Sequence, residues 1–209
     1  MKNILFSGNV KVFDGMLTCM LSIFKRTKLK EPYNFYIFTM DVSHIKPDYI
    51  PVSDKQVEFL QQIARDYNPD NLVTKIDVTD IYMEEFDNCP NENAYCSPYT
   101  LLRLFADKIP EIPDKLLYLD VDILFNREPE LLYDVDVEGY EYAAARDHYG
   151  KYLLNPNYIN AGVLLFNMKE IRKTGLFEKA RHLIKTKKLL FADQDAVYRS
   201  TTRKKMLPQ

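Results

Sequence analysis

The chain has no tryptophan and only three cysteines among its 209 residues. Cys19, Cys89 and Cys96 are too few and too unevenly spaced for a disulfide framework, and they lack the paired spacing of a zinc site. Reduced thiols in a cytosolic protein are therefore the expectation. Net charge is equally scarce: 28 basic against 30 acidic residues leave a formal charge of -2, which argues against a general nucleic-acid binder. No apolar run approaches the roughly 18 residues that a membrane-crossing helix needs. The opening Met1-Lys2-Asn3-Ile4-Leu5-Phe6 is too short for the apolar region of a signal peptide. No internal repeat or low-complexity linker divides the chain.

What is present suits one domain with a full core, since 46% of the residues are hydrophobic. The 15 tyrosines are rings with polar tips. Such rings suit a sugar-contacting cleft, and they also serve as ordinary half-buried core residues.

Apolar runs and amphipathic segments alternate along the chain. Asn3 to Ser7 reads as a strand ending at Gly8-Asn9, where glycine allows a close turn. Val12 to Arg26 repeats its apolar residues at three- and four-residue steps and predicts a helix. Tyr33 to Met40 predicts a second strand. Asp41 to Pro51 reads as a loop. Ser53-Asp54-Lys55-Gln56 has the form of a capping box, opening a helix to about Tyr67. Leu72 to Val78 predicts a third strand, Asp80 to Phe86 a short helix and Asn88 to Cys96 a polar loop. Ser97-Pro98 opens a helix over Tyr99 to Ile109, whose Arg103 could snorkel to the surface. Glu141 to Arg146 and Tyr158 to Asn167 predict two later strands, the second with Gly162 at its entry, as where a ligand or backbone approaches closely. Met168 to Arg172 and Gly175 to Lys187 read as helical. Asp193-Gln194-Asp195 opens a last helix, where acids also complement the helix dipole. This alternation implies an α/β fold with a largely parallel sheet covered on both faces.

Within this pattern Lys115 to Phe125 stands out. Leu116 to Leu119 is apolar enough for a doubly covered strand, and Asp120 and Asp122 follow at its carboxyl end, where open α/β sheets bind ligands. In extended chain they would point the same way, with Val121 towards the core. Two carboxylates held close repel unless a cation or proton lies between them. A hard divalent metal shared with phosphate oxygens is the natural occupant; solvated loop aspartates are the plainer alternative.

Taken together, these elements resemble glycosyltransferase family 8, the group containing bacterial galactosyl- and glucosyltransferases and glycogenin. The resemblance rests on Asn9 after the first strand, Arg103, Leu117-Tyr118-Leu119-Asp120-Val121-Asp122, Asn160-Ala161-Gly162-Val163-Leu164-Leu165 and Asp193-Gln194-Asp195, in order over nearly the whole chain. It implies a GT-A fold over residues 1–209 as a single domain, and transfer of glucose or galactose from a UDP-sugar to a glycan or lipid-linked glycan acceptor, with retention at the anomeric carbon. It implies Mn²⁺ or Mg²⁺ held by Asp120 and Asp122, with Asp120 also on the ribose side. It places Asn9 at the uracil and Arg103, Asp147, Asn160, Ala161 and Asp193 at the donor. Gln194 lies beside the anomeric carbon; Gln194 and Asp147 are the expected catalytic pair. A Gln amide oxygen is a poor nucleophile, so stabilisation of an oxocarbenium-like state is the expected role of Gln194.

The family's C-terminal segment, which supplies a third metal ligand, has no counterpart before Gln209, and the chain is expected to lack it. Arg199, Arg203, Lys204 and Lys205 read as an exposed lead-in or, alternatively, as a weak, salt-sensitive contact with the inner face of the membrane, at about 1 kcal/mol per basic residue. The expected location is cytoplasmic. Two further readings are a non-catalytic UDP-sugar-binding domain and a haloacid dehalogenase-type phosphatase. The phosphatase would need its Asp-x-Asp pair on the first strand.

Overall fold

The computed structural model describes residues 1–28, 30–92 and 97–208. Cys96 and the end of the expected polar loop lie outside the described residues. In chain order the elements are β1 (Lys2–Ser7), a 3-10 turn (Val10–Val12), α1 (Phe13–Arg26), β2 (Tyr33–Thr39), α2 (Asp54–Tyr67), β3 (Leu72–Asp77), α3 (Thr79–Phe86), a 3-10 helix (Pro98–Phe105), β4 (Lys115–Leu119), α4 (Glu130–Tyr133), β5 (Tyr142–Arg146), α5 (Gly150–Leu153), β6 (Ile159–Asn167), α6 (Met168–Thr174), α7 (Leu176–Thr186), α8 (Ala192–Ser200) and β7 (Lys204–Met206). The chain forms two compact units: Met1–Thr79 with Leu119–Val135, and Asp80–Tyr118 with Asp136–Gln209.

The first unit is built on β3-β2-β1, all parallel. β2 is buried at every position, the continuous apolar pattern of a covered parallel strand. α1 buries Met16, Cys19, Met20, Ile23 and Phe24. Phe24 meets the rings of Tyr33, Phe35 and Tyr67 at centroid distances of 6.3, 5.6 and 4.6 Å. The capping box that opens α2 is complete, with Ser53 and Gln56 each bonded to the other's backbone. The returning segment Leu119–Val135 is fastened to this layer: Tyr133 Oη accepts from Asn3 N at 3.0 Å, and Lys2 Nζ donates to Asp134 at 2.6 Å.

The second unit orders its strands β4-β6-β5-β7. β5 is antiparallel to β6 and parallel to β7. Ala144 pairs with Leu164 but Arg146 pairs with Ile159, so β6 bulges over residues 160–163. A bulge bends a strand and re-aims its side chains. β7 was not expected. It turns the end of the chain into a sheet edge, held by buried Glu141, whose carboxylate accepts from the backbone N–H groups of Thr202 at 2.9 Å and Arg203 at 3.1 Å. The basic cluster is accordingly not a free tail. Lys204 Nζ lies 4.6 Å from the Tyr198 ring centre, Lys205 Nζ donates to Asp136 O at 2.7 Å, and Arg199 lies 3.4 Å from Asp195.

The helix expected over Tyr99 to Ile109 is a 3-10 helix over Pro98–Phe105. One cause is local: Arg103 Nε donates to the Thr100 carbonyl at 2.9 Å, the group that an α-helix would give to Leu104 N–H. Among the described residues no helix is long and apolar enough to cross a membrane.

Candidate functional site

The first unit carries Asn9, Asp120 and Asp122. Asn9 follows β1 and is buried. Its Oδ1 accepts from Lys11 N at 3.1 Å, capping the 3-10 turn that leads into α1. The strand before the acidic pair ends at Leu119, and Val121 and Asp122 form a turn. The extended geometry expected for Asp120 to Asp122 is therefore replaced, and Val121 is half-exposed rather than turned into the core. The turn leans on α1: a Cβ at Gly15 would stand 2.7 Å from the Val121 carbonyl oxygen, so only glycine admits this approach. Further along, Phe125 N donates to Ser22 Oγ at 3.0 Å. Asp120 is half-exposed and Asp122 exposed. Burial, and then the charge of Asp122, push the Cys19 thiol up to about 12. Among the described residues no third His, Cys, Asp or Glu joins Asp120 and Asp122 in a ligand cluster. Two carboxylates in an accessible turn form a donor set for a hard cation that keeps other oxygen ligands. Asp120 and Asp122 fit a divalent metal on those terms.

The second unit brings the remaining candidates into one polar network. Arg103 is 1% exposed and does not snorkel. Its Nε lies 3.3 Å from Asp193 Oδ2, Nη1 donates to the Ala161 carbonyl, and the guanidinium stands 3.7 Å from the centre of the Tyr118 ring. A buried arginine requires such partners on every side, because its charge cannot be shed. Ala161 serves the network twice, since its N–H also donates to Gln194 Oε1 at 2.9 Å. A backbone N–H can only donate, so the oxygen end of the Gln194 amide faces β6. Next to it, Asn160 Oδ1 accepts from Gly162 N at 2.9 Å and Asn160 Nδ2 donates to Asp147 Oδ2 at 3.3 Å. The other oxygen of Asp147 accepts from Tyr149 N at 3.1 Å and Gly150 N at 2.6 Å, holding the backbone that enters α5.

Backbone strain sits at the start of α8. Ala192 has φ of +32°, a conformation costing an L-residue about 1–2 kcal/mol. Such strain persists where the surroundings over-determine it, often at functional positions. Here Asp195, 1% exposed, supplies the constraint. Its Oδ2 accepts from Leu190 N at 3.2 Å and Phe191 N at 3.4 Å, and Oδ1 accepts from Tyr158 Oη at 2.7 Å. The sequence offered only a dipole role for Asp195 and no role for Tyr158. Their pairing joins strand entry to helix start and leaves no local pattern. Burial first, and then the hydrogen bond to Asp195, push the Tyr158 phenol above its ordinary range.

Solved structures share this fold. A galactosyltransferase LgtC in complex with donor and acceptor sugar analogues matches at a TM-score of 0.76, with 21% identity, over 98% of this chain and 72% of its own. The glycosyltransferase GlyE of Streptococcus pneumoniae TIGR4 matches at 0.71, with 18% identity, over 100% and 46%. The fold is thus of the GT-A type: seven strands, mostly parallel, flanked by helices. The sequence profile of glycosyl transferase family 8 matches residues 3–204, and the chain belongs to that family. This membership displaces the phosphatase alternative. Among curated relatives, a Haemophilus influenzae Rd protein that carries a glycosyltransferase name by assignment is 28% identical over 188 residues, 85% of this chain and 52% of that protein. GlyA of S. pneumoniae TIGR4 is 34% identical over 109 residues, 46% of this chain and 15% of its own length. The chain therefore spans about half the length of the first relative and less of the second.

Proposed function

We propose that the chain is a metal-dependent glycosyltransferase that moves glucose or galactose from a UDP-sugar to a glycan or lipid-linked glycan acceptor, with retention at the anomeric carbon. The observation that carries this reading is the buried network in which Arg103, Ala161, Asp193 and Gln194 hold one another. Family membership gives the network a chemistry, and the LgtC complex contains donor and acceptor sugar analogues.

On this reading Asp120 and Asp122 hold Mn²⁺ or Mg²⁺. A metal held there would supply Lewis-acid neutralisation of charge on a leaving diphosphate. Asn9 contacts the uracil and Asp120 the ribose side. Arg103 orders Asp193, and Asp193 with Asn160 and Ala161 contacts the donor sugar. Asp147, acting with Asn160, accepts hydrogen bonds from sugar hydroxyls. Gln194, its oxygen oriented by Ala161 N–H, lies against the anomeric carbon and stabilises positive charge there.

The test is a donor panel scored for UDP release, together with calorimetry of Mn²⁺ alone and with UDP. Release from UDP-glucose or UDP-galactose that stops with EDTA is the expected result. Mn²⁺ is expected to bind weakly alone and tightly with UDP, whose phosphates complete the two-carboxylate shell. Binding of UDP with no turnover of any sugar nucleotide would replace the enzyme reading by a binding-domain one.

A further inference from the structure

The second unit displays apolar side chains that its core does not use. After Asp147 the chain winds through α5, where Tyr152 and Leu153 are 78% and 79% exposed. Just ahead of α8, Leu190 is 68% exposed. Both stretches lean on one ring. A Cβ at Gly150 would lie 2.3 Å from Tyr158 Cδ1, so α5 approaches that ring closely, and the Phe191 and Tyr158 ring centres are 6.4 Å apart. Single exposed leucines are ordinary, but grouped ones mark an interaction surface. The same stretches are basic. Lys187 and Lys188 are exposed, and among the described residues neither has a carboxylate partner. No Asp or Glu occurs from residue 148 to 169 or from 179 to 192.

We propose that these two stretches form a docking surface for an anionic lipid bilayer. Tyr152, Leu153 and Leu190 enter the boundary between headgroups and acyl chains, and Lys187 and Lys188 lie on the headgroups. Charge complementarity selects this occupant. A carbohydrate would cover the tyrosine rings but leave the leucines in water. A second copy docking through the same stretches would bury Lys187 and Lys188 with no carboxylate from either stretch to meet them. Because Asp147 holds the backbone that enters α5, docking would hold the Asp147–Asn160 pair near the lipid surface. Access to a lipid-linked acceptor then rests on the glycosyltransferase reading, whereas bilayer binding does not.

Co-sedimentation of the 209-residue chain with vesicles of phosphatidylcholine, and with an equimolar mixture of phosphatidylcholine and phosphatidylglycerol, tests the proposal. Binding to the anionic vesicles alone, weakened by salt, is expected. Tyr152→Ser with Leu153→Ser should lower the partition coefficient about tenfold or more, and Lys187→Glu with Lys188→Glu should do the same. Neither pair should alter the melting temperature, as these side chains are exposed. Absence of binding to anionic vesicles at low salt, or equal binding to both kinds of vesicle, would overturn the proposal, as would binding indifferent to both variants. A dimer in solution dissociated by Leu153→Ser would also overturn it, assigning the surface to self-association. UDP release, scored on the same variants without vesicles, separates a failure here from a failure of the enzymatic reading.

Discussion

The two units place their candidate residues in opposite physical settings. In the first, Asp120 and Asp122 occupy a turn open to water, and that turn is positioned by backbone packing against Gly15. In the second, Arg103, Asp193 and Ala161 are buried and bond one another, with Gln194 half-buried among them. The first group is accessible to a ligand from water, and its position is set by the backbone. The second is preorganised, and the same side chains that would touch a sugar also hold elements together. Substitutions should therefore separate binding from stability in the first unit and couple them in the second.

The largest expected effect tests that coupling. Arg103→Ala removes the arginine that faces the buried Asp193 carboxylate and should destabilise the fold by about 3–5 kcal/mol, read by urea unfolding. Replacing both partners, Arg103→Met with Asp193→Leu, should recover most of the loss. An Arg103→Ala protein of unchanged stability would show that the network does not support the fold. Next in size is Gly15→Ala. Its Cβ meets a backbone carbonyl that cannot move cheaply, so a cost of about 1–3 kcal/mol is expected, with weaker metal-dependent UDP binding because the acidic turn shifts. Retained UDP affinity would mean that the turn is not positioned by α1.

Gln194 distinguishes the two chemistries of its amide. Gln194→Ala removes the acceptor of Ala161 N–H and should cost about 1 kcal/mol. Gln194→Glu keeps an acceptor and should hold stability while transfer falls; equal melting curves for both variants would remove the assigned hydrogen bond. In the first unit, Asp122→Asn should change stability by no more than about 0.5 kcal/mol and yet abolish metal-dependent UDP binding, a split that calorimetry and melting together can refute. The smallest effect is confined to alkaline solution. The Cys19 thiol rises from an ordinary 9.0 to about 12 in the fold, so the unfolded chain ionises first. The native state loses no stability through this group below pH 9 and loses it progressively as pH rises from 9 towards 12. Cys19→Ala should flatten the stability profile just above pH 9, measured before the tyrosines begin to titrate.

Much of the fold was legible because its signals are local. The alternating strands and helices, the capping box at Ser53 and the covered strand ending at Leu119 all express energies set within a few residues. Two of the misread elements, the turn at Asp120–Asp122 and the final strand β7, answer to a partner distant in sequence. The 3-10 helix at Pro98–Phe105 reflects a local competition instead, in which Arg103 takes the Thr100 carbonyl. Arg103 looked able to reach water from a helix, and only the buried Asp193, Ala161 and Tyr118 around it show why it does not.

By itself, then, the sequence determined the α/β order, the family and which residue types stand at strand ends, since periodicity and capping depend on neighbours along the chain. The tertiary structure alone decided that Arg103 is a buried tie, that Gly15 sets the acidic turn and that Tyr158 and Asp195 constrain the strained start of α8. A buried charge or a strained backbone is stable only when distant groups arrive to satisfy it. Which groups arrive is settled by packing rather than by local pattern.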